Sequence, residues 1–166
     1  MFGFDGEVRH KYNGEIMKLF SESFRALPLA AILEKKVIIL HGGLFKQDGV
    51  AIQDIQKIDR FTDSMSGLLE DILWSDPMDA NGRQPSRREA GTMFGPDVTK
   101  SFLEQNHLDL LVRSHEVKME GYEVQHDISF LGVSDELTIR KVHYCFLCCE
   151  LLRHNSKQRS YHQVRP

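Results

Sequence analysis

The chain has 166 residues, 41% hydrophobic and 27% charged, with a formal charge of −3. These values fit one soluble globular domain with an ordinary core and exclude a disordered or low-complexity chain. Acids and bases are interspersed without a basic tail, so composition gives no support for a nucleic-acid or anionic-membrane partner. No apolar run approaches a membrane span, and no signal peptide opens the sequence. The three cysteines all fall in HYCFLCCE, residues 143–150. An odd, clustered set is no disulfide framework, and it points to a reducing cytoplasmic or nuclear setting.

In chain order, residues 6–26 carry Val8, Tyr12, Ile16, Leu19, Phe20 and Phe24 at near-helical spacing, which predicts one or two amphipathic helices ending before Pro28. LPLAAIL, residues 27–33, predicts a short extended piece, and EKK a polar turn. Val37 to Leu40 is a continuous apolar run, as expected of a strand covered on both faces. GGLFKQDG is a loop, and VAIQDIQKI a short helix. Residues 59–96 show little periodicity and several Gly, Pro, Ser and Asp, which predicts a long surface excursion. PDVTKSFLEQNH, residues 96–107, is a compact helix with Asp97 near its positive end. LDLLVRSHE, residues 108–116, repeats the earlier pattern of an apolar run followed by a polar cluster.

Two predicted strands therefore each end in a histidine, His41 and His115. Ligands of open α/β sheets gather beyond the carboxyl ends of strands, and neutral imidazole is a common ligand of zinc, iron and manganese. Glycines 42 and 43 allow a sharp turn or the close approach of another atom. A histidine at a strand end is more often a hydrogen-bonded structural residue than a ligand, and spacing alone does not separate the two readings.

The blocks LHGGLF, ILWSDP (72–77), FGPDVTKSFLEQN (94–106) and LVRSHEVKMEGYEV (111–124) resemble the catalytic domain of metal-dependent serine/threonine phosphoprotein phosphatases. FGFDGEVRHKYN and RSHEVKMEGYEV are most similar to the type 5 subfamily. The resemblance covers residues 2–127. It implies an α/β fold: a partial metallophosphoesterase-type β-sandwich flanked by helices, an incomplete four-layer α/β/β/α arrangement. It implies that His41 and His115 are ligands of the same one of two adjacent divalent ions, which are manganese, iron or zinc in the family. It implies that Arg88 clamps phosphate oxygens, and that the substrates are phosphoserine and phosphothreonine proteins, with regulatory protein partners possible.

Departures from the pattern set further expectations. The family's GDxHG, GDxxDRG and GNHE blocks do not occur, so the chain is expected to be a piece of a catalytic domain with little or no turnover of its own. The alternative is a catalytically inactive pseudo-phosphatase or protein-binding fragment. Asp5, Asp48 and Asp76 fit none of those blocks and are not counted as ligands. Glu89 follows Arg88 where the family has glycine, and its carboxylate is expected to compete for the guanidinium. Residues 128–166 form a divergent segment in which some strand, an apolar helix over HYCFLCCELLRH and a loose polar end are expected. Cys145 and Cys148 are spaced C-x-x-C, but no second ligand pair of matching spacing accompanies them.

Overall fold

The computed structural model describes residues 3–62, 64–127 and 129–133. The expectations for the cysteine cluster, the HYCFLCCELLRH helix and the polar end lie outside these residues.

The amphipathic stretch near the start folds as two helices, α1 (Phe4–Lys11) and α2 (Gly14–Arg25). Asn13 separates them because its side-chain oxygen accepts the Ile16 N–H at 2.9 Å, satisfying an otherwise orphaned donor of α2. Their facing stripes close a small core of Val8, Met17 and Phe24. Phe4, Phe20 and Phe24 pack there with ring centroids 5.2 to 5.8 Å apart.

Strand β1 (Ala30–Leu33) pairs antiparallel with β2 (Val37–Leu40). Glu34 and Lys35 make the connecting turn in the left-handed region. Helix α3 (Ile52–Gln56) follows the HGGLF loop. Only alternate residues of β2 are fully buried: Ile38 and Leu40 are, while Val37 and Ile39 are half-buried. The apolar run thus faces one complete core layer, and not the two that its composition implied. Each fully buried aliphatic side chain of this kind contributes roughly 1.5–3 kcal/mol.

The stretch 59–96 departs furthest from expectation. It holds helix α4 (Leu68–Trp74), with Leu69, Ile72 and Leu73 in the core, and then β3 (Asp76–Pro77), β4 (Arg83–Pro85) and β5 (Thr92–Phe94). These strands form a second sheet in the order β3-β5-β4. Arg83 fastens it to the loop after His41 by donating from Nε to Phe45 O at 2.7 Å and from Nη2 to Asp48 at 2.7 Å.

Helix α5 (Pro96–Gln105) begins with proline, whose fixed φ suits a first turn. Asp97 uses its carboxylate to accept the Gly82 N–H at 2.8 Å, binding the helix start to the β4 turn. Strands β6 (Leu110–Arg113), β7 (Tyr122–Gln125) and β8 (Phe130–Val133) complete the first sheet, ordered β1-β2-β6-β8-β7. The resemblance ends near residue 127, yet Phe130 to Gly132 still pairs parallel with β6. One core joins both sheets and α3 to α5, with Ile38, Leu40, Leu111, Phe94 and Phe130 at its centre. This mixed α/β architecture is the one expected.

Candidate functional site

Strands β2 and β6 are parallel neighbours with Leu40 opposite Arg113, so their carboxyl ends emerge side by side. His41 lies one residue beyond the first end, and His115 two beyond the second. The Ser114 N–H donates to His41 O at 3.2 Å, extending the ladder past the strands. The imidazole centroids are 4.7 Å apart. His41 Nδ1 lies 3.0 Å from the Ser114 hydroxyl. His115 stands edge-on to Trp74 and adopts φ +85, a conformation that non-glycine residues hold only when their surroundings enforce it.

Burial holds the His41 imidazole well below its ordinary protonation range, aided by the neighbouring His115 and Arg113. His115 is also lowered, first by burial, against the opposing hydrogen bond of Asp76. Both rings are therefore neutral at pH 7. A neutral imidazole keeps a nitrogen lone pair, the form that can ligate a metal ion or accept a proton.

The glycines that follow His41 have a packing reason. A Cβ on Gly42 would stand 2.4 Å from Leu73 C and 2.6 Å from Trp74 N, and one on Gly43 would stand 2.3 Å from the Phe94 ring. Close approach to the end of α4 is what these positions require; neither is in the left-handed region.

A charged network lies behind the histidines. The Arg113 side chain is fully buried. Its Nε donates to Gly42 O at 2.6 Å, Nη1 to Glu116 at 2.6 Å, and Nη2 to Asp76 at 2.8 Å and Ser75 O at 3.3 Å. One guanidinium thereby joins the segments following β2, α4 and β6. Asp76 also accepts from Arg88 Nε at 2.6 Å, and its Oδ1 lies 3.4 Å from His115 Nδ1. Burial pushes the Asp76 carboxyl up, but the contacts with His115, Arg88 and Arg113 outweigh it and hold the group far below the usual carboxylate range.

The structure thus brings His41 and His115 together and puts Arg88 on Asp76, within electrostatic reach of both rings. The carboxylate that engages Arg88 is Asp76, twelve residues away, and not the adjacent Glu89. Glu89 is exposed at φ +61, so a glycine would suit its backbone better. Sequence reasoning set Asp76 aside and passed over Arg113, Glu116 and Ser114. The only available signal was their nearness to histidine and tryptophan within RSHE and WSDP. Among the described residues, no group of three or more His, Cys, Asp or Glu side chains is placed to hold a metal ion.

Comparison with known proteins gives the family and the fold. The family model described as calcineurin-like phosphoesterase matches residues 3–119. Serine/threonine-protein phosphatase 5 of Homo sapiens is 55% identical over 127 residues, which is 76% of this chain and 26% of that protein. The Arabidopsis thaliana protein of the same name is 56% identical over 134 residues, 80% of this chain and 25% of its own length. Among solved structures, a protein serine/threonine phosphatase from Saccharomyces cerevisiae with similarity to human phosphatase PP5 superposes with a TM-score of 0.76 at 36% identity. That match covers 81% of this chain and 42% of that one. The chain spans about a quarter of the length of these curated relatives.

Proposed function

We propose that this chain, which belongs to the calcineurin-like phosphoesterase family, carries the two-histidine part of a protein serine/threonine phosphatase site, type 5-like, acting on phosphoserine and phosphothreonine in proteins. The observation that supports this is the side-by-side placement of His41 and His115 beyond two parallel strands, with Arg88 beside them.

The family implies divalent metal ions, and the donor set here fits one in part. Two neutral imidazoles suit manganese, iron or zinc. Asp76, the nearest carboxylate, is engaged by Arg113 and Arg88. A full coordination sphere therefore needs donors beyond His41 and His115. When bound, such ions lower the pKa of water and offset charge on phosphoryl oxygens. The chain's own contribution is binding and orientation. Arg88 gives Nε to Asp76, so its two terminal nitrogens are the pair available to bridge two phosphoryl oxygens, a match that a planar fork makes better than a point charge. Arg113 holds Gly42, Asp76 and Glu116, fixing the three segments whose ends present the site.

The lack of a third donor among the described residues favours a second reading, a catalytically inactive phosphatase-like domain that binds protein partners. Two measurements on the purified chain test both. Cobalt(II) absorption should report weak nitrogen ligation that disappears in His115→Ala, and ligation unaffected by that change would count against the histidine pair. With manganese and a phosphoserine peptide, phosphate release should stay at background. Robust turnover would refute the inactive reading and the reasoning about missing donors together. The clustered thiols favour the cytoplasm or nucleus as the setting.

A further inference from the structure

The acidic pair on α4 does something that the phosphatase site itself does not use. Glu70 Oε1 accepts from Lys46 Nζ at 2.6 Å and from the Gly91 N–H at 2.9 Å. The backbone N–H of Lys46 donates to Asp71 Oδ2 at 2.9 Å. Lys46 lies five residues after His41, and Gly91 three after Arg88. One turn of helix therefore laces the loop that leaves the first histidine to the loop that carries the arginine.

The lacing matters because the Arg88 loop is otherwise held at its ends, by the pairing of Pro85 with Thr92 and the Thr92 N–H bond to Ser75 Oγ at 3.1 Å, and by the Arg88–Asp76 ion pair. It is a polar turn in which the Arg88 N–H reaches the Ser86 hydroxyl at 3.0 Å, Glu89 is in the left-handed region, and Arg87 and Glu89 are exposed. At its far end Gly91 presses on the end of α4, where a Cβ would stand 2.6 Å from both Ser75 N and Trp74 C. So close a backbone approach is kept in register by directional bonds, and Glu70 supplies the one at Gly91 itself, next to the Thr92 N–H bond to Ser75 Oγ. Its geometry is in turn set by Lys46, which leaves Oε1 shared between one cation and one amide. Glu70 touches no reacting group.

We propose that Glu70 is a positioning residue: by clamping the Gly91 amide while paired with Lys46, it sets the Arg88 loop and hence where the guanidinium stands beside the histidines. The proposal rests on the reading of Arg88 as the phosphate-facing group, but its geometric content is tested without phosphate.

The full chain, ¹⁵N-labelled, is compared with Glu70→Ala, Glu70→Gln and Glu104→Ala by NMR hydrogen exchange of the Gly91 amide and the Arg88 Nε–H. Glu104 belongs to an exposed pair with Lys100 on α5 and serves as a control. Glu70→Ala should speed exchange at both positions about tenfold, the scale of one lost hydrogen bond to a charged group. Glu70→Gln keeps an oxygen for Gly91 and should restore most of the protection at both, and being isosteric it also serves if the alanine variant fails to fold. Unchanged exchange at Arg88 in Glu70→Ala would overturn the proposal. So would an equal loss in Glu104→Ala, or a glutamine variant no better protected than alanine. Adding inorganic phosphate to the wild-type chain tests the functional reading separately: an Arg88 signal that does not move would count against phosphate binding, while the exchange data still decide the role of Glu70.

Discussion

Replacing Arg113 with methionine tests whether the site is assembled by one buried cation. Methionine keeps the apolar stem and removes the fork, so any loss reflects its hydrogen bonds more than lost packing. The guanidinium is fully buried and donates to Gly42 O, Ser75 O, Asp76 and Glu116. Breaking a buried ion pair by deleting one partner costs about 3–5 kcal/mol, because the other charge is left uncompensated. For Arg113 the cost lies toward the lower end, since Asp76 keeps Arg88 and Glu116 keeps Lys118 at 3.4 Å. We expect about 3 kcal/mol, to be read from urea unfolding followed by circular dichroism at about pH 7.5. A domain of about 5–15 kcal/mol survives such a loss. Adding Asp76→Asn should then cost less than the sum of the single changes, by about 1 kcal/mol, because both single changes already break the Arg113–Asp76 pair. A stability for Arg113→Met within about 0.5 kcal/mol of wild type would show that the network is a bystander and that other contacts assemble the site.

Other outcomes follow from single positions. Gly42→Ala should destabilise by about 1–3 kcal/mol, since the new methyl meets backbone atoms that no rotamer change can move; an unchanged midpoint would refute the close-approach argument. Glu89→Gly should stabilise by about 1 kcal/mol by relieving left-handed strain at an exposed site, and a lower melting temperature would contradict it. His126 is lowered from its ordinary 6.5, first by burial, while the Met78 carbonyl, Asp79, Asp127 and Asp97 oppose the shift. A histidine depressed in the folded state takes up its proton first in the unfolded chain, so stability should fall as pH drops below about 6.5. His126 spans Thr99 Oγ1 at 2.8 Å and Met78 O at 3.1 Å. His126→Asn should lessen the slope of stability measured by urea unfolding between about pH 7.5 and 5.5, with the depressed His41 and His115 supplying what remains, and a slope equal to wild type would rule this group out.

What could be read from the sequence was whatever short-range pattern encodes. The spacing of Val8, Ile16, Phe20 and Phe24 marked the first two helices, and the apolar runs before His41 and His115 marked two strands that do lie side by side. The stretch from 59 to 96 was unreadable for a physical reason. Its strands are two or three residues long, too short to show alternation. Its helix buries Asp71 beside Leu69, Ile72 and Leu73, so its apolar stripe is interrupted by a carboxylate. One oxygen of that carboxylate, Oδ2, accepts the backbone N–H of Lys46, twenty-five residues earlier in the chain, and Oδ1 lies 3.5 Å from the same residue's ammonium. Asp76 was set aside because it fits none of the family's ligand blocks, and its partners Arg88 and Arg113, twelve and thirty-seven residues away, leave no local sign of its role.

The three glycines 42, 43 and 91 carry the remaining link between sequence and site. Gly42 and Gly91 meet the backbone of residues 73 to 75, and Gly43 meets Ser75 O and the Phe94 ring. The end of α4 is therefore held between the loop leaving β2 and the loop entering β5, with no side chain between backbones. That closeness lets Arg113 Nη2 reach Ser75 O and Asp76 while its Nε reaches Gly42 O. It also lets Glu70 reach the Gly91 N–H. A histidine followed by two glycines thus marks the point where three chain segments converge. The His41 imidazole is itself buried there, and what packs against the loop that follows it is neighbouring backbone and the Phe94 ring, which only residues without a side chain allow.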